Sequence, residues 1–308
     1  MARNKGSSLK SVRYQIVHKT VYDYDNPVSV SHHLVRMTPR ELPQQHFLQR
    51  EMLGEPKPTL LTSREDYFGN TVTFITVEEP HRRLLVTAKS EVEVTAPQPP
   101  APESTPPWES VRELCRGSTP NAAREACEFA FPSALVPRSP EYAHYAVESF
   151  APGRPLLDAA LHLMGRIHKD FKFDAKATTV ATPLEQVFRQ HRGVCQDFAH
   201  LQIACLRSLG LAARYVSGYL ETLPPPGKPK LIGADASHAW LQVWCGEAGW
   251  IDIDPTNNTL PGERYITLAW GRDYTDVSPL RGVLTGSGRH QLNVAVDVLP
   301  LPPETSKK

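Results

Sequence analysis

No run of eighteen apolar residues occurs in the 308-residue chain, which excludes a membrane-crossing helix of ordinary length. The opening MARNKGSSLKSVRYQIVHK has basic residues but neither an apolar segment nor a small-residue cleavage site. A secretory signal is therefore not expected, and the chain reads as cytoplasmic with no membrane partner. Charge of one sign is missing too: Lys+Arg 34 against Asp+Glu 33 leaves a net charge of +1. Without a long basic run to neutralise a series of phosphates, nucleic acid is not an expected partner. Cysteine is scarce, with five residues (Cys115, Cys127, Cys195, Cys205 and Cys245) thinly spread, odd in number and never spaced C-x-x-C. That excludes a disulfide framework or a zinc ribbon as the organising principle and leaves reduced thiols as the default. His32, His33, His191 and His200 show no metal-ligand spacing with any Cys or carboxylate, so neither metal nor cofactor is expected.

Proline, by contrast, is abundant. Its 29 residues are roughly twice the usual share of about 5%, and six of them fall between Pro97 and Pro107 in APQPPAPESTPPW. That stretch sustains neither a helix nor a central strand and marks the clearest boundary in a chain long enough for two domains. Before it, residues 11–95 read as strands. Tyr14, Ile16, Thr20, Tyr22 and Tyr24 recur with period two, and Leu84, Val86, Ala88, Val92 and Val94 repeat the pattern, so a β-sandwich-like accessory domain is expected. Residues 96–139 read as a Pro-rich linker with short helices, and 140–300 as the second domain.

From Pro155 the texture changes. Leu157, Leu161, Met164 and Ile167 lie along one side of a helix. Thr182-Pro183-Leu184-Glu185 has the form of a helix start with Thr182 at the N-cap, Gly193 should end that helix, and a second helix from about Cys195 to Leu209 should close on Gly210. AARYVSGYLE, SHAWLQVW, WIDIDP, RYITLAW and QLNVAVDVL then read as strands. Helices first and strands afterwards give an α+β class.

The sharpest chemical signal is RGVCQDFAHLQIACLRSLG. Cys195 sits in the first turn of a helix, where unpaired backbone N–H groups and the positive end of the macrodipole favour a thiolate. Cys205, mid-helix among Ile203, Ala204 and Leu206, reads instead as a small buried hydrophobe. A nucleophilic cysteine needs a base, and the base an orienting group. If Ser237–Trp244 and Trp250–Asp254 form a hairpin through CGEAG with Trp244 facing Trp250, Asp254 opposes Trp240 and becomes a diagonal neighbour of His238. Their backbones would then be roughly 7–8 Å apart, a gap the two side chains can bridge. Asp252 lies one pleat repeat farther off and reads as a surface or sheet carboxylate. Trp240, Trp244 and Trp250 read as sheet core, with a cleft wall as the alternative. Asp273, Tyr274 and Asp276 either line a cleft or close a turn.

GVCQDFAHLQIACLRSLGLAARYVSGY, SHAWLQVW and GWIDIDPTNN resemble the three motif blocks of the transglutaminase-like superfamily. The β-rich segment before residue 95 and GRDYTDVSPLRGV resemble its bacterial subgroup of transglutaminase-like proteins and cysteine proteases. The resemblance implies a papain-like α+β catalytic domain with Cys195 as nucleophile, His238 as general base and then acid, and Asp254 as the orienting carboxylate. It implies acyl transfer through a Cys195 thioester on a peptide or isopeptide bond, with a peptide or protein as substrate and an ATP-grasp-type ligase as a further partner. The calcium-dependent animal members carry a Trp where this chain has Thr178-Thr179, which tells against protein crosslinking. The other reading is a catalytically idle peptide- or protein-binding module on the same scaffold.

Overall fold

The computed structural model describes residues 11–116, 121–223, 235 and 237–302. Three four-stranded antiparallel sheets organise them. The first has the order β14-β1-β6-β3, from β1 (Ser11–Val28), β3 (Gln45–Glu55), β6 (His81–Thr95) and β14 (His290–Pro300). The second runs β13-β2-β5-β4, from β2 (Val30–Val35), β4 (Leu60–Glu65), β5 (Thr71–Val77) and β13 (Leu280–Thr285). The two pack as a sandwich around Val35, Met37, Ile75, Val77, Leu84 and Val86, all buried. The period-two reading holds in β1, where Tyr14, Ile16, Thr20 and Tyr24 are buried. His18 fills the remaining place on that face, its Nδ1 2.8 Å from the Tyr219 hydroxyl.

The third sheet, β11-β10-β9-β12, carries β9 (Ala213–Leu220), β10 (Ser237–Trp244), β11 (Trp250–Ile253) and β12 (Tyr265–Gly271). Helices α3 (Pro140–Val147), α4 (Leu156–Asp170), α5 (Leu184–Gln190) and α6 (Cys195–Ser208) pack beside it. A short parallel pair, β7 (Lys172–Phe173) with β8 (Arg192–Gly193), bridges the approaches to α5 and α6. Every residue of α6 from Asp197 to Arg207 is buried, so this helix is the axis of the unit. Gly210, with φ +84°, follows its end as read from the sequence.

One expectation changes. The sequence pattern places residues 280–300 in the second domain at 140–300, whereas β13 pairs with β2 and β14 with β1. An alternating pattern reveals a strand and not its neighbour, because the pairing is a long-range choice. The Pro-rich stretch at 96–139 carries the short helices expected there. Helices α1 (Trp108–Leu114) and α2 (Asn121–Cys127) lie within it, and Trp108, Val111 and Phe129 are buried in the same cluster as α6.

The long strands of the first sheet serve both units. One end closes the sandwich, while Tyr14, Ile16, Val92, Val94, Val296 and Val298 at the other pack on Tyr219, Ile266 and Leu268 of the third sheet. At about 1.5–3 kcal/mol for each fully buried large apolar side chain, this shared cluster fixes the third sheet against the sandwich.

Candidate active site

The loop before α6 is set by contacts that hold Cys195 at the helix mouth. Helix α5 starts one residue later than the Thr182 pattern predicts: Pro183 occupies the cap position, and Thr182 Oγ1 accepts from the Thr179 N–H at 2.9 Å instead. Nor does Gly193 end α5. His191 turns the chain with φ +51°, its ring stacked 4.6 Å from Phe171. Gly193 answers a different need, since a Cβ there would lie 2.7 Å from Asp197 Oδ2. That oxygen caps the helix by accepting from the Val194 N–H at 2.8 Å and also from the Thr178 hydroxyl at 2.6 Å. A carboxylate at this position also complements the helix dipole. Cys195 is partly exposed, whereas Cys205 is sealed in the core, where burial drives its thiol pKa upward.

The hairpin register is the one read from the sequence: Trp244 pairs with Trp250 and Gln242 with Asp252. It brings His238 Nε2 to 2.8 Å from Asp254 Oδ2. Cys195, at the mouth of α6, is close enough to the His238 ring to help raise its pKa. Burial by itself would lower the His238 pKa, but the hydrogen bond to Asp254 and the nearby Cys195 outweigh it and raise the value from 6.5 to about 9. Asp254, fully buried, is pushed up by burial and pulled down further by its bonds to His238, Asn257 and Tyr265, for a net lowering.

Two of those groups lie outside the residues singled out on sequence. Asn257 Nδ2 donates to Asp254 Oδ2 at 2.7 Å, and the Tyr265 hydroxyl donates to the same oxygen at 2.9 Å. Asn257 carries a local signal, because DPTNN is a turn sequence in which Asp254 Oδ1 accepts from the Thr256 N–H at 2.8 Å. Tyr265 carries none, since it arrives from β12, two strands away from β10. Gly218 of β9 admits the Trp240 ring, which a Cβ there would meet at 2.4 Å, and Trp240 in turn stands edge-on to Tyr265 at 5.4 Å.

Asp252 is a sheet carboxylate rather than a surface one. It accepts from Trp240 Nε1 at 2.6 Å and Gln242 Nε2 at 2.9 Å, and burial raises its pKa. Trp240 is fully buried, in line with the sheet-core reading. Asp273 caps the short helix α7 (Tyr274–Val277) by accepting from the Thr275 N–H at 2.8 Å, and Asp276 pairs with Arg272. These carboxylates close a turn, while the Tyr274 ring stands 6.4 Å from Tyr215. Among the described residues no three His, Cys, Asp or Glu side chains gather as a metal site.

Comparison with known proteins bears on this geometry. Residues 14–93 match the bacterial transglutaminase-like N-terminal region, and residues 143–255 match the transglutaminase-like superfamily core. The chain belongs to the transglutaminase-like superfamily. It is 41% identical over 296 residues to an uncharacterised protein of Mycobacterium tuberculosis, covering 94% of this chain and 93% of that one. A protein-glutamine gamma-glutamyltransferase of Pseudomonas aeruginosa shares 33% identity over 97 residues, 30% of this chain and 14% of that enzyme. In fold, the chain is similar to a crystal structure from Cytophaga hutchinsonii whose name proposes a cysteine protease. That likeness has a TM-score of 0.75 at 20% identity and covers 95% of this chain and 92% of the other. The superfamily match spans all three residues of the Cys195, His238 and Asp254 constellation.

Proposed function

We propose that this superfamily member is a thiol-dependent acyl-transfer enzyme acting on a peptide or isopeptide amide, with Cys195 as nucleophile, His238 as base and acid, and Asp254 as its orienting carboxylate. The observation that carries the reading is one imidazole held 2.8 Å from the Asp254 carboxylate, with Cys195 near enough to act on its protonation. The Cys195 sulfur attacks the carbonyl carbon, forming the C–S bond and placing the electron pair on oxygen. The Cys195 backbone N–H, at the first turn of α6, is suited to receive that oxyanion. His238 gives its proton to the amide nitrogen as the C–N bond breaks, leaving a thioester. The neutral ring then takes a proton from water as the oxygen attacks the thioester, which frees the acid and restores the thiol.

The partial likeness to a gamma-glutamyltransferase supports chemistry at an amide carbonyl. We assign water as the usual acceptor. Iodoacetamide alkylation across pH followed by peptide mapping tests the reading. Cys195 should label well below pH 8 while Cys205 stays silent, and Cys195→Ala should abolish turnover. Equal, slow labelling of both thiols would favour an idle binding module.

A further inference from the structure

A groove of about 550 Å³ runs along the outer edge of β11, between that strand and the chain at 95–100. The β10–β11 register decides which main-chain groups face it. Cys245 N–H donates to the Gly249 carbonyl at 2.8 Å, and hydrogen-bonded pairs recur at every second residue, so Ile251 and Ile253 turn their N–H and C=O groups toward β10. Trp250 and Asp252 turn theirs outward, to the side on which the third sheet has no further strand. Neither has a main-chain partner there among the described residues. Just beyond them the outer side closes again, because Asp254 N–H donates to the Thr259 carbonyl at 2.9 Å.

The opposite edge of the same sheet is handled differently. On β12 the Gln45 amide both donates to the Thr267 carbonyl and accepts from the Thr267 N–H, each at 2.8 Å. Asn70 does the same for Trp270, at 2.9 and 3.0 Å. Among the described residues no side-chain amide does this for Trp250 or Asp252, and an uncovered strand edge is a template for another strand. Pro97, Pro99 and Pro100 line the groove and have no N–H to complete the ladder themselves. No lysine or arginine lines it, and its one carboxylate, Asp252, is committed to Trp240 and Gln242. The groove is therefore complementary to an uncharged chain that brings its own N–H and C=O groups.

We infer that this groove docks an uncharged, extended peptide segment of a substrate, which adds to β11 as a fifth strand of the third sheet. The role in presenting a substrate rests on the acyl-transfer reading, whereas the docking itself is tested without turnover. Full-length Cys195→Ala protein is titrated by ligand-observed NMR with the peptide acetyl-(Thr-Val)₃-amide and with two analogues, one N-methylated at its valines and the other at its threonines. Alternate amides of an extended chain point to opposite sides, so one pattern sets methyl groups against β11 and the other turns them away. The first should weaken binding by about tenfold or more and the second by less than about threefold. Ala248→Trp and Gln98→Trp, at exposed positions on the two sides of the groove, should each block the parent peptide. Equal effects of the two methylation patterns, or binding indifferent to both tryptophans, overturn the inference even if the enzyme is active.

In the native protein, saturating peptide should leave the iodoacetamide alkylation rate of Cys195 within about twofold, because the groove contains neither Cys195 nor His238. Full protection of the thiol would place the peptide over the thiol instead and overturn the assignment. With active protein, an amide substrate lengthened by the Thr-Val repeat should exceed its shorter parent in kcat/KM by about tenfold, and Ala248→Trp should erase that gain. Absence of the gain overturns the substrate role, while the pH profile of Cys195 alkylation reports separately on the acyl-transfer reading.

Discussion

Replacing Asp254 by Asn removes one charge from beneath His238 while keeping an oxygen for the Thr256 N–H, and it puts an amide NH2 in place of the Oδ2 that accepts from the Tyr265 hydroxyl and faces His238. In the native site the ring's pKa is raised from 6.5 to about 9, a net preference for the imidazolium of about 3 kcal/mol. That preference survives although burial, the largest influence, acts against it. Without the carboxylate, burial is opposed chiefly by Cys195, so His238 should be neutral at pH 7 and no longer stabilise a thiolate. Loss of a positioned acid–base partner of this kind lowers turnover by about 10²- to 10⁴-fold. The assay pairs kcat/KM on a peptide substrate with an NMR titration of the His238 ring and the pH profile of Cys195 alkylation. In the native enzyme, activity should fall as pH rises through about 9, where the ring loses its proton. In Asp254→Asn that alkaline limb should move below neutrality. A ring that still titrates near 9, with alkylation unchanged, would refute the role given to Asp254.

Other substitutions probe the support of the site and the fold. Tyr265→Phe removes one donor to Asp254 and should lower stability by about 1–3 kcal/mol in urea unfolding, with a smaller loss of turnover than Asp254→Asn. Gly218→Ala places a Cβ 2.2 Å from the Ile266 carbonyl oxygen, so it should destabilise by about 3 kcal/mol or more; a variant with native Tm would contradict the packing of Trp240. His18, His33 and His200 are held neutral by burial, each with its pKa lowered to about 4. The unfolded chain protonates them near 6.5, so each should cost about 1.4 kcal/mol of stability per pH unit between 6.5 and 4, and no more below that window. Urea midpoints measured from pH 7.5 to 4 check the slope, and His18→Gln should make it shallower. His238 acts oppositely: its contribution is complete below 6.5 and disappears as pH rises through about 9.

Much of this protein was legible because its signals are local or nearly so. The helix start at Cys195, the Gly210 stop and the hairpin of β10 and β11 involve residues close in sequence, and period two alone put His238 and Asp254 on one sheet face. The register needed only the pairing of Trp244 with Trp250 across a short turn. The start of α5 was misplaced for a local reason too: Thr182 has a nearby competitor, the Thr179 N–H, for its hydroxyl.

Composition, strand and helix periods and the order of the three motif blocks were thus determined by the sequence by itself, together with the residues that could form a thiol site. Only the tertiary structure decided that the last two strands return to the sandwich, that the Pro-rich segment packs its helices into the core, and that Tyr265 completes the cradle of Asp254. A periodic pattern states which face of an element is apolar. Which distant element covers that face is settled by packing the whole chain at once.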